Sequence, residues 1–430
     1  MKDIFKKIIV YILTKEAQML IRRTNPLIIA VTGSVGKTSI KDAIYEVFKG
    51  RMYVRKSEKS YNSEIGVPLS VLGLPNAWSN PIKWFKNIID GALIALHPGN
   101  YPKLLVLEMG VDRPGDMDKL TAWIKPDVVV LTRLPDVPVH VEYFASPEAV
   151  IAEKKKLVQA LKQDGVLVYN QDDERVVDVA HGIFQRSIGY SRFSLSPFTA
   201  SADRMVYENG KAVGTEFVLT HLDKAVTMRV NGSLGVPHAY NYAAAATVAS
   251  IFNIEIEDVA LALNTHTPPP GRMRLIPGIK ETLIIDDTYN SSPAASERSL
   301  ATLGELKGVK RRIAVLGDMM ELGQFSIREH ERIGALVPHY AHILVTMGVR
   351  ARGFSKGAVE AGMDPKNIFE FEDAVKAGQE MQTYIRAGDV LLVKGSQSIR
   401  AERFVEELMA EPERAEELLV RQDEMWKKIV

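Results

Sequence analysis

The stretch Val31–Asp42, VTGSVGKTSIKD, constrains the fold of this chain more than any other. It follows the short, β-branched apolar run 27–31, which reads as a buried strand. From Lys37 to Phe48 the apolar residues Ile40, Ala43, Ile44 and Val47 recur at helical spacing, so a helix starts near the lysine. Strand, glycine turn and helix N-terminus together form an anion site, because free backbone N–H groups and the positive end of the helix dipole point at the turn. Gly33 and Gly36 allow positive φ and close approach of a ligand, Lys37 adds a point charge, and Thr38 or Ser39 offers a hydroxyl to Mg²⁺. The longer phosphate-loop pattern wants a glycine where Val31 stands, so the match is to the shorter form G-x-x-G-K-T. The turn is expected to bind a nucleoside triphosphate, against the plainer reading of an ordinary strand-to-helix connection.

Short apolar strands recur at 104–108, 128–132, 166–169, 283–286, 313–317, 343–346 and 390–394, with helical patterns such as 146–162 and 294–306 between most of them. Alternation of this kind predicts an α/β fold of parallel sheets with crossover helices. Residues 200–232 carry short strand-like runs around an Asn209–Gly210 turn and read as a local β insertion. The three prolines of THTPPPGR, 265–272, stop helix and sheet alike and mark a boundary. The expected organisation is a basic N-terminal helix over 1–25, a phosphate-loop ATPase domain over 26–267, a smaller Rossmann-like α/β domain over 268–410 and a charged helical tail over 411–430. In that tail Leu418, Leu419, Met425 and Trp426 are the expected packing contacts.

With 430 residues the chain can bury two or three cores. Its formal charge of +1 gives no global footprint for nucleic acid, and the absence of cysteine excludes disulfides, thiolate chemistry and cysteine zinc sites, in keeping with a reducing cytoplasm. No run approaches the roughly 20 apolar residues that span a bilayer. Residues 1–23 hold six Lys or Arg against two Asp or Glu without a small-residue cleavage site, so a cleaved signal peptide is not expected. Such a helix either packs on its own domain or makes weak contact with a membrane surface. Packing is the expected state, through a stripe of Ile4, Ile8, Tyr11, Ile12 and Met19.

Three other residues stand out. Glu108 ends a predicted strand at the edge where the phosphate turn opens, placed to complete Mg²⁺ coordination, although a solvated glutamate would look the same. His140 lies in a proline-flanked loop, where a lone histidine is ordinarily plain surface, and Lys154–Lys156 is ordinarily a solvated helix face.

The motifs TGSVGKTS, YNSEIGVPLSVL, LEMGVDRPGDM, HVEYFASPEAVIAEKKKL, PPPGRM, IDDTYNSSP, LGDMMELG with His330, and VKGSQSIR occur in the order expected of the Mur ligase family, over about 26–408. The chain resembles that family. Its DDTYNSSP and GDMMELG segments are most like the branch that joins D-alanyl-D-alanine to UDP-N-acetylmuramoyl-tripeptide, the MurF branch. The resemblance implies an ATP- and Mg²⁺-dependent amide ligase of peptidoglycan precursor synthesis, cytoplasmic and monomeric, acting on a nucleotide-sugar peptide and a dipeptide.

It implies that Lys37 and the loop from Gly33 and Ser34 through Gly36 to Ser39 hold the phosphates, while Thr38 and Glu108 bind one Mg²⁺. His140 matches a histidine that holds a second metal ion, and Lys154 matches a lysine that the family carbamylates into a further metal-binding carboxylate. Asn241, with His238, would face the adenine. Arg272, Asp287 and Tyr289 would close on the phosphates and ribose, and Asn62, Asn290, His330, Lys394 and Ser396 would line the substrate cleft. HAYNYAAAA departs from the family's asparagine-rich adenine motif. That branch also carries an N-terminal domain for the UDP-sugar, whereas 25 residues precede Pro26 here, so recognition mainly through the acceptor's peptide end in the cleft between the two domains, or with help from another protein, is expected.

The residue types suit the chemistry, since an amide forms from a carboxylate only after activation. Transfer of a phosphoryl group to that carboxylate relies on positioning and charge neutralisation by lysine and divalent metal. A ligase for another carboxylate remains open, as does a nucleotide-dependent switch, although a switch needs no second-metal set of Glu108, His140 and Lys154.

Overall fold

The computed structural model describes residues 2–58, 61–193 and 195–428 and contains two sheets in succession. The first has nine strands: β1 (Leu27–Thr32), β2 (Val54–Lys56), β3 (Leu104–Glu108), β4 (Val128–Leu131), β5 (Val166–Asn170), β6 (Arg186–Ser191), β7 (Phe198–Glu208), β8 (Lys211–His221) and β9 (Lys224–Asn231). Their order across the sheet is β2-β3-β1-β4-β5-β6-β7-β8-β9, parallel as far as β7 and antiparallel beyond. The two-residue alternation of β1 explains its depth: Ile28 and Ala30 face one apolar core, Ile29 and Val31 the other, and all four are buried.

The residues read as a local β insertion are strands, and they extend this sheet. Phe198 and Thr199 pair with the end of β6, and a hairpin turns at Asn209 and Gly210, both at positive φ. The second sheet comprises β10 (Arg274–Pro277), β11 (Leu283–Asp287), β12 (Arg311–Gly317), β13 (Ile343–Met347), β14 (Ile368–Phe371) and β15 (Asp389–Lys394). Its order is β10-β11-β15-β12-β13-β14, parallel except for β10. The proline segment lies between the last helix of the first unit, Ile256–Leu263, and β10.

Four helices near the N-terminus matter below: α1 (Lys2–Thr24), α2 (Lys37–Lys49), α3 (Gly66–Leu72) and α4 (Pro81–Leu96). Helix α1 does pack on its own domain, against α3 and α4, but not through the expected stripe. Ile9, Leu13, Ala17 and Leu20 are buried, while Ile4, Ile8 and Tyr11 face outward and Ile12 and Met19 are only half-buried. The helix is apolar on two opposite faces, so spacing alone could not choose between them. The tail is likewise not one helix. It runs through short turns at Pro412–Arg414, Ala415–Leu418 and Glu424–Lys427. Leu418 and Leu419 are buried as expected, but the backbone is pinned by side chains: the Arg400 guanidinium donates to the Trp426 carbonyl at 2.8 Å.

Candidate active site

Strand β1 sits between β3 and β4, so its C-terminal end opens at a topological switch point, where α/β sheets hold ligands. Register places Val31 opposite Glu108 and Thr32 opposite Leu131. At the turn Gly33 has φ 134° and a Cβ there would overlap the Thr132 hydroxyl, while Gly36 caps α2 at φ 89°. Both glycines are therefore required by the backbone path. Lys37 folds back so that Nζ donates to the Gly33 carbonyl at 3.1 Å, and Lys154 Nζ reaches the same oxygen from the helix Pro147–Gln159 at 3.3 Å. Burial pushes the Lys37 ammonium below its usual range against the attraction of Glu108. Burial, aided by the charge of Lys37, lowers Lys154 to about 7.

Glu108 is buried at the end of β3. Thr38 Oγ1 donates to its Oε2 at 2.8 Å and Asn62 Nδ2 to its Oε1 at 3.1 Å, while its own N–H donates to Ser57 Oγ at 3.1 Å. A hydroxyl and a carboxylate side by side are the hard oxygen donors that Mg²⁺ prefers. The Ser34 hydroxyl and Arg272 Nε are buried without a hydrogen-bond partner among the described residues. The Arg272 guanidinium comes from beyond the proline segment, lies 3.9 Å from the centre of the Tyr289 ring and reaches to 3.5 Å from Thr38 Oγ1. Donors left over around a helix N-terminus fit a polyphosphate, and the Thr38–Glu108 pair fits its metal ion.

This turn opens into a cleft of about 1850 Å³ lined by both sheet units and by the tail. Of the site residues that the resemblance implies, all but Gly33, Lys154 and His330 line it. Gly33 and Lys154 lie directly behind the turn, joined through the Gly33 carbonyl. His330 is a correction: it is buried away from the cleft, its Nε2 accepting from the Met319 N–H at 2.9 Å and its Nδ1 donating to the Ser326 carbonyl at 2.7 Å. With both nitrogens used by backbone, it shapes the Asp318–Glu321 loop and offers nothing to a ligand.

His238 is half such a case, since it lines the cleft yet shares a 2.7 Å hydrogen bond with Ser233, and burial lowers it to about 4. Asn241, one helical turn on, keeps its side-chain oxygen against Gly36. In the second unit, register pairs Asp287 with Lys394, and their side chains meet at 2.6 Å. Ser299 also donates to Asp287, and Lys394 donates to the Asn290 carbonyl. Ser396 Oγ accepts from the Met320 N–H.

His140 takes φ 73° and bridges the two units: Nδ1 lies 2.7 Å from the Glu321 carboxylate and Nε2 3.5 Å from Asp112. Sequence reasoning had assigned no role to Asp112 or Glu321, although both stand inside conspicuous motifs. It also missed Ser57 and the tail residue Arg421, which donates to the Thr288 and Tyr289 carbonyls and to Glu402. Nothing local marks those two. Among the described residues no three His, Asp or Glu side chains converge on one point, so a metal site here needs Thr38 and a further ligand beyond those types.

Residues 31–249 match the Mur ligase middle domain and residues 271–397 the Mur ligase, glutamate ligase domain. The UDP-N-acetylmuramoyl-tripeptide–D-alanyl-D-alanine ligase of Bacillus subtilis is 26% identical over 389 residues, 90% of this chain and 76% of that one. The enzyme of the same name from Mycobacterium leprae is 30% identical over 394 residues, 86% of this chain and 71% of that one. Among solved structures, the MurF ligase of Thermotoga maritima in complex with ADP superposes with a TM-score of 0.75 at 26% identity, covering 94% of this chain and 84% of that one. The folylpolyglutamate synthase of Mycobacterium tuberculosis shares the fold at TM-score 0.63 and 15% identity, covering 89% and 92% of the two chains. With more than half of its length matched by the middle-domain model and the glutamate ligase domain following it, this chain belongs to the Mur ligase family.

Proposed function

We propose that this chain is an ATP-dependent ligase that joins D-alanyl-D-alanine to a UDP-N-acetylmuramoyl-tripeptide-like acceptor. The observation that carries this reading is the convergence of Lys37, the Thr38–Glu108 pair and Arg272 from the second unit on one phosphate turn. The relatives of that name support the choice of substrates.

In this mechanism the acceptor carboxylate oxygen attacks the γ-phosphorus of ATP, and the β–γ bridging oxygen leaves with ADP. The amine of the dipeptide then adds to the carbonyl carbon of the acyl phosphate, loses a proton and expels inorganic phosphate. Lys37, the turn amides and Arg272 neutralise charge that builds on the phosphoryl oxygens, the role in which preorganised donors matter most. Mg²⁺ held by Thr38 and Glu108 would draw charge from the β- and γ-oxygens.

A partly neutral, buried Lys154 amine is suited to adding to CO₂, forming an N–C bond and releasing a proton. The resulting carbamate, with His140, would serve a second metal ion. Asn241 holds the adenine side; Asp287, Tyr289 and Asn290 face the ribose and acceptor; and the acceptor's peptide end lies in the cleft. The enzyme works as a cytoplasmic monomer, and no described helix is long and apolar enough to cross a membrane.

The test is ADP release by purified protein with panels of carboxylates and amines. Turnover that requires both the muramoyl tripeptide and D-alanyl-D-alanine is expected. Turnover with neither would establish a switch, and turnover only with a different carboxylate would move the chain to another ligase activity.

A further inference from the structure

Half of the exposed large hydrophobic side chains among the described residues lie on α1, on α4 or just before α4. On α4, Ile82, Phe85, Ile89, Leu93 and Leu96 recur at intervals of three and four, an unbroken apolar stripe, and every one is exposed, Ile82 at 78% and Phe85 at 66%. The opposite side of α4, with Trp84, Gly91 and Ala95, is the side that packs inward. On α1, Ile4 and Tyr11 are 65% and 64% exposed, and Phe5 and Ile8 are also open. The two helices pack side by side, and a Cβ at Gly91 would collide with the Glu16 carboxylate, so their outward stripes form one surface. A contiguous apolar area of this extent on a water-soluble domain marks an interaction site.

Charge identifies what it meets. Helix α1 carries six Lys or Arg against Asp3 and Glu16, and α4 carries Lys83 and Lys86 against Asp90. The whole chain is only +1, so the remainder is net acidic and the basic excess is concentrated on these two helices. Burial lifts the Glu16 carboxyl to about 7, which deepens that excess. The lysines flank the stripes: Lys7 stands three residues after Ile4 and four before Tyr11, and Lys86 four after Ile82 and three before Ile89. Among the described residues Lys7, Lys83 and Lys86 have no carboxylate partner. Apolar side chains ringed by long, unpaired cations suit a bilayer interface, where the stems lie along acyl chains and the ammonium groups rise to phosphates.

We infer that α1 and α4 form a docking face for an anionic phospholipid surface, on which the protein lies without spanning it. The face adjoins the cleft rim at two places. Lys6 on α1 pairs with Glu64 at 3.5 Å, next to the cleft residues Asn62 and Ser63, and Trp78, which lines the cleft, precedes α4 by three residues. Docking therefore turns the rim of the cleft toward the headgroups. The inference is independent of the ligase reading, since it uses none of the phosphate-site residues.

The experiment is flotation of the full chain with phosphatidylcholine vesicles and with vesicles containing phosphatidylglycerol, alongside light scattering without lipid. Binding to the anionic vesicles about tenfold or more above the neutral ones, falling with added salt, is expected. Phe85→Glu and, separately, Lys83→Glu with Lys86→Glu should each abolish flotation while leaving the melting temperature and ADP release with soluble substrates unchanged. Failure to float with anionic vesicles overturns the inference, as does flotation that survives both variants. A lipid-free dimer that Phe85→Glu dissolves also overturns it and assigns the face to a second copy of the chain.

Discussion

The two halves of the cleft hold their most central cations in opposite ways, although farther out on the first side Lys56 is paired with Asp42 at 2.8 Å. At the phosphate turn of the first sheet, Lys37 and Lys154 rest on one neutral carbonyl oxygen, that of Gly33, and Arg272 reaches in from the second unit, stacked on the Tyr289 ring and without a carboxylate partner among the described residues. On the second sheet's side, Lys394 is neutralised by Asp287 at 2.6 Å, and Glu402 takes both Arg400 and Arg421. An ammonium on a carbonyl gains when a phosphate replaces that carbonyl, whereas one already paired with a buried carboxylate has little to gain. The difference assigns charge stabilisation to the first half and rigid shape to the second.

Lys37→Ala should break the first half most. A drop of about a thousandfold in ADP release is expected, with the melting temperature nearly unchanged, because the side chain sits on a turn, on the Gly33 carbonyl, and not in the apolar core. Near-normal turnover by the folded variant would remove the phosphate-turn assignment.

Lys154 sharpens the same point through pH. If Lys154 is carbamylated as proposed, Lys154→Ala should lose activity by about a hundredfold or more and recover part of it with added short carboxylates, which would take the place of the carbamate. Its amine titrates near 10.5 when unfolded and about 7 when folded, so folding penalises the charged form. That penalty is complete below pH 7, shrinks between 7 and 10.5, and is gone above. In CO₂-free buffer Lys154→Met should therefore be more stable than the parent at pH 6, on the order of 5 kcal/mol, and equal to it near pH 10.5. Urea unfolding at the two pH values checks this; equal stability at pH 6 would mean that the amine is not held in a charge-hostile site.

On the other half, Asp287→Asn strands Lys394 and should cost about 2–3 kcal/mol of stability, with much of it restored when Lys394→Met is added. Full additivity of the two changes would show that the pair is not coupled. The smallest effect belongs to the bridge between halves. Glu321→Gln loosens His140, and about a tenfold rise in KM with little change in melting temperature is expected. An unchanged KM would show that this contact plays no part in assembling the site.

The glycine turn, the strand alternation and the proline stop were legible because each rests on short-range rules: permitted φ, period two or near 3.6, and a missing N–H. They located β1, β3, β4, β5, β11, β12, β13 and β15 to within two residues at either end. The weak strands β2, β6, β10 and β14 escaped, being short, mixed in polarity or at a sheet edge, and the tail's fold was misread because its backbone partners lie elsewhere in the chain.

The sequence by itself determined that a phosphate turn, a partner carboxylate and a second α/β unit exist, because these are local chemistry. Only the tertiary structure decided that Lys154 shares an oxygen with Lys37, that His330 is spent on backbone, and that His140 meets Glu321. The same holds for α1, which hides Leu13 and leaves Tyr11 exposed. Those outcomes depend on which distant segments arrive as neighbours, and a helix apolar on two faces, or a histidine with two free nitrogens, carries no local record of that choice.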